Sequence, residues 1–107
     1  MIPQEFLDAL AVRVLETWLM QQGLRPTGDW DGSDPACVRN HGPYRVWTVQ
    51  AAVPDGVQIN RDALWRPFSE YMEGRNQLPG AIVFHAYDLE RYDTSLGGSY
   101  LFASIYQ

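Results

Sequence analysis

Hydrophobic residues recur at helical spacing near the start of the chain. Pro3 suits the first turn of a helix, and Gly23 followed by Pro26 supplies a stop. The pattern therefore predicts a helix from about Pro3 to Gln22. One broad apolar stripe runs along it, formed by Leu7, Leu10, Ala11, Val14, Leu15 and Trp18. The apolar surface is wider than one sheet face needs, so a second edge of this helix is a candidate contact with another chain.

Alternation with a period of two predicts the strands. The segment from Tyr44 to Val53 places Trp47, Val49 and Ala51 on one face, and neither face is strongly polar. We expect a central, covered strand there. A short strand is predicted at Ala36 to Arg39, and a short edge strand at Val57 to Ile59.

The second half of the chain predicts one more helix and a hairpin. Asn60 or Asp62 can cap a helix that ends before Gly74, and Pro67 should kink it or divide it. From Pro79 to Gln107, alternating apolar and aromatic residues predict two antiparallel strands joined by a connection from Tyr87 to Ser99.

The order of elements predicts an α+β fold. Helix, strand, strand, helix, strand, strand would form two layers, with a mainly antiparallel sheet of about four strands, a long N-terminal helix and a second, shorter helix. The chain has 107 residues, which suits a single globular domain over 1–107.

Charge and composition exclude several function classes. The net charge is -5, which disfavours direct binding to nucleic acid or to an anionic membrane. All eight basic residues are arginine, so no lysine is present to form a Schiff base or to bind phosphate in a P-loop. A single cysteine and the absence of an export pattern predict a cytoplasmic location.

Candidate catalytic chemistry is limited to one cysteine and two histidines. Cys37, His41 and His85 could form a thiolate and base arrangement or contribute to a metal site. The spacing of these three residues is diagnostic neither of a catalytic arrangement nor of a metal site. The segment DWDGSD at 29–34 lacks the ligand pattern of a calcium loop. The sequence therefore predicts no catalytic residue, no metal and no cofactor.

Positive charge gathers around the turn at Gly42 and Pro43. Arg39 and Arg45 are candidates for binding an anion there through forked hydrogen bonds. The alternative, which the composition favours, is that they form surface ion pairs with the preceding aspartates.

The acidic connection in the terminal hairpin is the predicted partner-binding site. It contains Tyr87, Asp88, Glu90, Tyr92 and Asp93. Tyrosine offers a broad contact area, and carboxylates steer a basic partner. The leading hypothesis is a small acidic module that blocks or adapts another protein with a basic surface by steric occlusion, as inhibitors and immunity proteins of mobile elements do.

Two alternatives stay open. One is an enzyme or ligand-binding domain with a pocket between helix and sheet, which Cys37 or His85 would mark. Its predicted lining residues are Trp47, Trp65, Phe84 or Tyr100. The other is an oligomeric structural component such as a homodimer, in which an exposed last strand pairs with its symmetry mate.

Overall fold

The computed structural model confirms the α+β fold and describes residues 3–27, 36–76, 84–95 and 97–107. Two helices and a five-stranded antiparallel sheet are found within those ranges. In chain order they are α1 (Gln4–Gln21), β1 (Arg25–Pro26), β2 (Ala36–His41), β3 (Tyr44–Val53), α2 (Arg61–Asn76), β4 (Ala86–Asp93) and β5 (Ser99–Tyr106). Neither of these helices has the length and apolarity needed to cross a membrane.

Strand β3 is the centre of the sheet. On one side it pairs with β5, and β5 pairs with β4. On the other side β1 and β2 follow one another along the same edge of β3, since Pro26 pairs with Ala51 and Ala36 pairs with Val49. The last strand is therefore interior. The prediction that it presents an exposed edge for a symmetry mate was wrong, because β4 already pairs with it.

Alternate side chains of the central strands form the core with both helices. Their buried members are Trp47, Val49, Ala51, Leu89, Leu101, Ala103 and Ile105. From α1, Leu15 and Trp18 pack against this face, and α2 adds Phe68 and Met72. The rings of Trp18 and Phe68 meet edge to face with centroids 4.8 Å apart. Both helices therefore lie on one side of the sheet.

Hydrogen bonds at the end of α1 confirm the predicted stop at Gly23. This glycine has a φ of 77°, and its N–H donates to the Met20 carbonyl at 2.9 Å. The Leu24 N–H donates to the Leu19 carbonyl at 3.1 Å, which completes a Schellman motif. Leu24 is buried, so the motif directs the chain back onto the core.

A carboxylate fixes α1 to the sheet. Asp8 accepts hydrogen bonds from Arg45 Nε at 2.9 Å, Arg45 Nη2 at 2.8 Å and the indole Nε1 of Trp47 at 2.7 Å. Gln4 donates a fourth from within the helix, at 3.1 Å. The Arg45 hydrogen bonds are the largest cause that holds the pKa of Asp8 well below its usual value.

Helix α2 is longer and more continuous than the sequence predicts. Asn60 caps it, since its Oδ1 accepts the N–H of Asp62 at 3.0 Å. The helix passes Gly74 and continues through Pro67, so the predicted end and the predicted division into two helices were both wrong. Proline removes one interior hydrogen bond, but burial of Phe68 and Met72 against the core offsets that cost.

The segment after β3 is not a strand. Val57 to Ile59 forms no ladder with the sheet, and the prediction of an edge strand there was wrong. Ile59 instead packs beside the core, and its carbonyl accepts a hydrogen bond from Arg91 Nη1. The Ile59 carbonyl therefore bonds to a side chain and not to a neighbouring strand.

Candidate functional site

Most of the predicted docking loop is strand β4. The connection between β4 and β5 is confined to 94–98, where the Thr94 N–H donates to the Gly98 carbonyl at 2.7 Å. The prediction of a loop from Tyr87 to Ser99 was wrong because its charged residues masked an alternation. Tyr87 and Leu89 face the helices, and the acidic residues between them face the other way.

The alternation in β4 divides the predicted partner-binding residues between two faces. On the helix side, Tyr87 donates to Glu73 Oε1 at 2.7 Å, and its hydroxyl oxygen lies 2.6 Å from the hydroxyl of Ser69. Burial raises the pKa of Tyr87. Asp93 accepts a hydrogen bond from Ser99 at 2.6 Å, which is the main cause that lowers its pKa, and forms an ion pair with Arg91. Tyr87 and Asp93 are therefore engaged within the protein.

Asp88, Glu90 and Tyr92 lie on the face of the sheet opposite to the helices, which we call the open face. Cross-strand pairs share a face, so the register assigns the remaining members from β5, β3 and β2. They include Tyr100, Phe102, Ser104 and Tyr106, then Val46 and Thr48, then Cys37, Arg39 and His41. The buried residues of both helices pack on the opposite face, and Val46, Thr48 and Ser104 are the buried residues of the open face.

A groove of about 880 Å³ runs across the open face. Thr48 and Ser104 are buried at its floor, where their hydroxyl oxygens lie 2.8 Å apart. Phe102 and Tyr106 also line it, and Tyr92 stands beside them with 58% of its surface exposed. Aromatic surface and hydroxyl groups together suit contact with an organic or peptide ligand.

The charged groups along the groove differ in whether they are paired. Arg61 at the start of α2 donates to the Leu89 carbonyl at 2.6 Å and lies 3.5 Å from Asp88 Oδ1. In the described part of the chain, Glu90 and Arg39 form no hydrogen bond through their side chains and no ion pair, although both are exposed. These two groups are available to a binding partner.

The two arginines proposed for an anion site do not lie together. Arg39 is on the open face, whereas Arg45 is on the helix face and is occupied by Asp8. The prediction of a joint site was wrong because neighbouring strands place these two residues on opposite faces. Arg45 forms an ion pair with Asp8 of α1. The aspartates at 29–34, which the sequence offered as ion-pair partners, lie outside the described residues.

Cys37, His41 and His85 do not form a reactive group. Cys37 and His41 share a face of β2 but are four residues apart along a strand, which separates them by about 13 Å. His85 packs edge to face against the ring of Tyr44, with centroids 6.0 Å apart. Among the described residues, no three histidine, cysteine or acidic side chains are placed to hold a metal ion.

The predicted pocket between helix and sheet was also wrong. Trp47 is fully buried in the close-packed core, and its indole nitrogen is bonded to Asp8. Trp65 and Phe84 contact Tyr87 on the helix side, whereas Tyr100 lies on the open face. These rings therefore do not line one cavity.

Comparisons with models of protein families, with curated proteins and with solved protein structures find no match.

Proposed function

We propose that this chain is a protein-binding module whose open face is the docking surface. It would block or adapt its partner by covering part of the partner's surface. The observation that carries the proposal is the exposure of Tyr92 and Glu90 beside an aromatic groove, where Glu90 has no ion-pair partner among the described residues. The nearby carboxylates of Asp88 and Asp93 are already paired, because each lies beside an arginine of the same chain.

Charge argues for a partner with a basic surface. The chain carries a net charge of -5, and Asp88 and Glu90 place two carboxylates along the β4 side of the groove. Three arginines, Arg39, Arg61 and Arg91, line the same groove, so the attraction of a basic partner comes from the net charge of the whole chain and from Glu90. Arg39 lies about 20 Å from Glu90 across the sheet, judged from strand spacing and rise. It would contact an acidic group of the partner and so set its orientation.

Aromatic residues supply the contact area. Tyr92, Phe102 and Tyr106 present rings along the groove, and their low conformational freedom limits the entropy lost on binding. Residues of this type dominate binding energy at the centres of interfaces. The alternative sites on the chain are weaker, because the exposed Phe6 and Met20 lie at opposite ends of α1.

The test is capture of a partner from native cells at moderate salt with three forms of the protein. These are the parent, the double variant Glu90→Arg with Tyr92→Ala, and the control Glu70→Arg. Glu70 is exposed on α2, so the control makes the same charge change on a different surface. We expect a stoichiometric partner that the parent and control retain and the double variant loses. Equal retention by the double variant would remove the open face from the interface.

Small-ligand binding is a second candidate, since the groove has room for a ligand although it is open to solvent along much of its length. About 880 Å³ falls within the range of roughly 300–1,000 Å³ typical of ligand pockets. Under this function, a metabolite would raise the melting temperature of the parent and not that of a Tyr106→Ala variant. Cys37→Ser and His85→Ala would leave that shift unchanged, because neither residue lines the groove.

A further inference from the structure

Three aromatic rings and a carboxylate meet at one corner of the open face. Glu90 pairs across the strands with Phe102, and Tyr92 pairs with Tyr100 in the adjacent row. The rings of Tyr92 and Phe102 are 6.4 Å apart at 80°, and those of Tyr100 and Phe102 are 6.5 Å apart at 45°. We call Glu90, Tyr92, Tyr100 and Phe102 the aromatic corner.

The aromatic corner has the electrostatic character that suits a cation. Aromatic faces carry negative electrostatic potential, and a carboxylate beside them adds a full charge. Glu90 has no ion-pair partner within the described ranges, although its neighbours on β4 do: Asp88 lies beside Arg61, and Asp93 beside Arg91. A cation from another molecule would complete the arrangement.

Two arginines of the protein itself lie in comparable surroundings. Arg61 places its Cζ 4.6 Å from the centroid of the Trp65 ring, while its Nη2 lies 3.5 Å from Asp88. Arg75 stacks over Tyr71 at 4.8 Å. In both cases a guanidinium lies over an aromatic ring, and in the first a carboxylate lies within ion-pair distance of it. Arginine suits this geometry better than lysine because it is planar, forked and weakly hydrated.

We propose that the aromatic corner binds one arginine side chain of the partner protein. The guanidinium stacks on Tyr92 or Phe102 and donates hydrogen bonds to the Glu90 carboxylate. This inference rests on the proposed function and specifies the side chain that the docking surface recognises. It also explains why an exposed tyrosine and an unpaired glutamate are adjacent on an otherwise well-paired strand.

The direct test is a nuclear magnetic resonance titration of the whole chain with N-acetylarginine amide. The matched probe is N-acetylcitrulline amide, which has nearly the same shape but no charge. We expect saturable shifts of the Tyr92, Tyr100 and Phe102 ring signals with the arginine probe, and at least about fivefold weaker binding of the citrulline probe. Equal binding of the two probes, or shifts confined to other parts of the protein, would overturn the inference.

Variants locate the interaction. Glu90→Gln keeps the size of the side chain and removes its charge, and should weaken binding of the arginine probe about fivefold. Tyr92→Ala should weaken it to a similar extent. Glu70→Gln removes the same charge from α2 and should leave binding unchanged. Thermal unfolding of each variant checks that it remains folded. Unchanged affinity in Glu90→Gln would exclude the carboxylate from the site.

The probe and partner experiments separate the two proposals. Loss of a captured partner in the Glu90→Arg, Tyr92→Ala variant, without any binding of the arginine probe, would keep the docking surface and reject the arginine site. If the probe binds at the aromatic corner but no captured partner depends on the open face, the arginine site is kept and the docking surface is rejected. A short oligothymidylate that shifts the same rings, where the arginine probe does not, would show base stacking instead and overturn the inference.

Discussion

The contact between Asp8 and the sheet should contribute a large share of the stability of this fold. Asp8→Ala removes an acceptor that serves Arg45 and Trp47 together. The indole N–H would be left without a partner in a fully buried side chain, and the guanidinium would lose both of its hydrogen bonds. Arg45 is partly exposed and can regain water, so the indole carries most of the loss.

The expected magnitude follows from these two losses. A buried donor without an acceptor costs about 1–3 kcal/mol, and a hydrogen bond to a charged group contributes about 1.5–3 kcal/mol before solvation returns part of it. We expect Asp8→Ala to lower the free energy of unfolding by about 2–4 kcal/mol, or the melting temperature by about 9–18 °C. Asp8→Asn keeps one acceptor oxygen, and its loss should be about half as large.

A double-mutant cycle measures the ion pair apart from the indole. Urea unfolding of the parent, Asp8→Ala, Arg45→Met and the double variant should give a coupling free energy of about 1–3 kcal/mol. Trp47 is present in all four proteins, so the cost of losing its hydrogen bond to Asp8 cancels from the cycle. A coupling below about 0.5 kcal/mol would refute the claim that this pair fixes α1 to the sheet.

The same carboxylate predicts the response to acid. The pKa of Asp8 in the folded protein lies well below that of an unfolded aspartate, which is about 3.9. Below about pH 4 the unfolded chain binds this proton first, so the stability due to Asp8 declines as pH falls. The difference in stability between the parent and Asp8→Asn should therefore shrink from pH 5 to about pH 2. A constant difference would contradict the assignment.

Further predictions concern α2 and β4. Leu89→Ala should cost about 2–5 kcal/mol, whereas Glu90→Ala, one residue away on the other face, should stay within about 0.5 kcal/mol in the same urea assay. Asn60→Ala removes the cap of α2 and should cost about 1 kcal/mol, and Asn60→Asp should restore most of it. Tyr87→Phe should remove one of the last phenols to ionise in an ultraviolet titration, because burial raises the pKa of Tyr87; an unaltered titration would contradict this.

The elements with strong periodicity could be predicted from the sequence. Strand β3 spans Tyr44–Val53 as its alternation indicates, and α1 begins and ends within one residue of the predicted bounds. Gly23 and Asn60 marked helix ends through local hydrogen bonds, which depend only on nearby residues. Local chemistry was sufficient at these positions.

Strand β4 and the candidate site could not be predicted in the same way. Asp88, Glu90 and Arg91 make the segment polar, and only pairing with β5 keeps it extended. The partition of Tyr87 and Glu90 between two faces follows from that pairing. Likewise, the groove depends on register, since Thr48 and Ser104 meet only when β3 and β5 are aligned. Long-range strand pairing is not encoded in any short window.

The alternation of side chains separates stability from recognition along three adjacent strands. In β3, β4 and β5 the odd-numbered positions face the helices, and the even-numbered positions face the groove. Substitutions at exposed positions such as Glu90 and Tyr92 can therefore change the chemistry of the open face while the hydrophobic side chains between them are kept. A new surface does not require a new core.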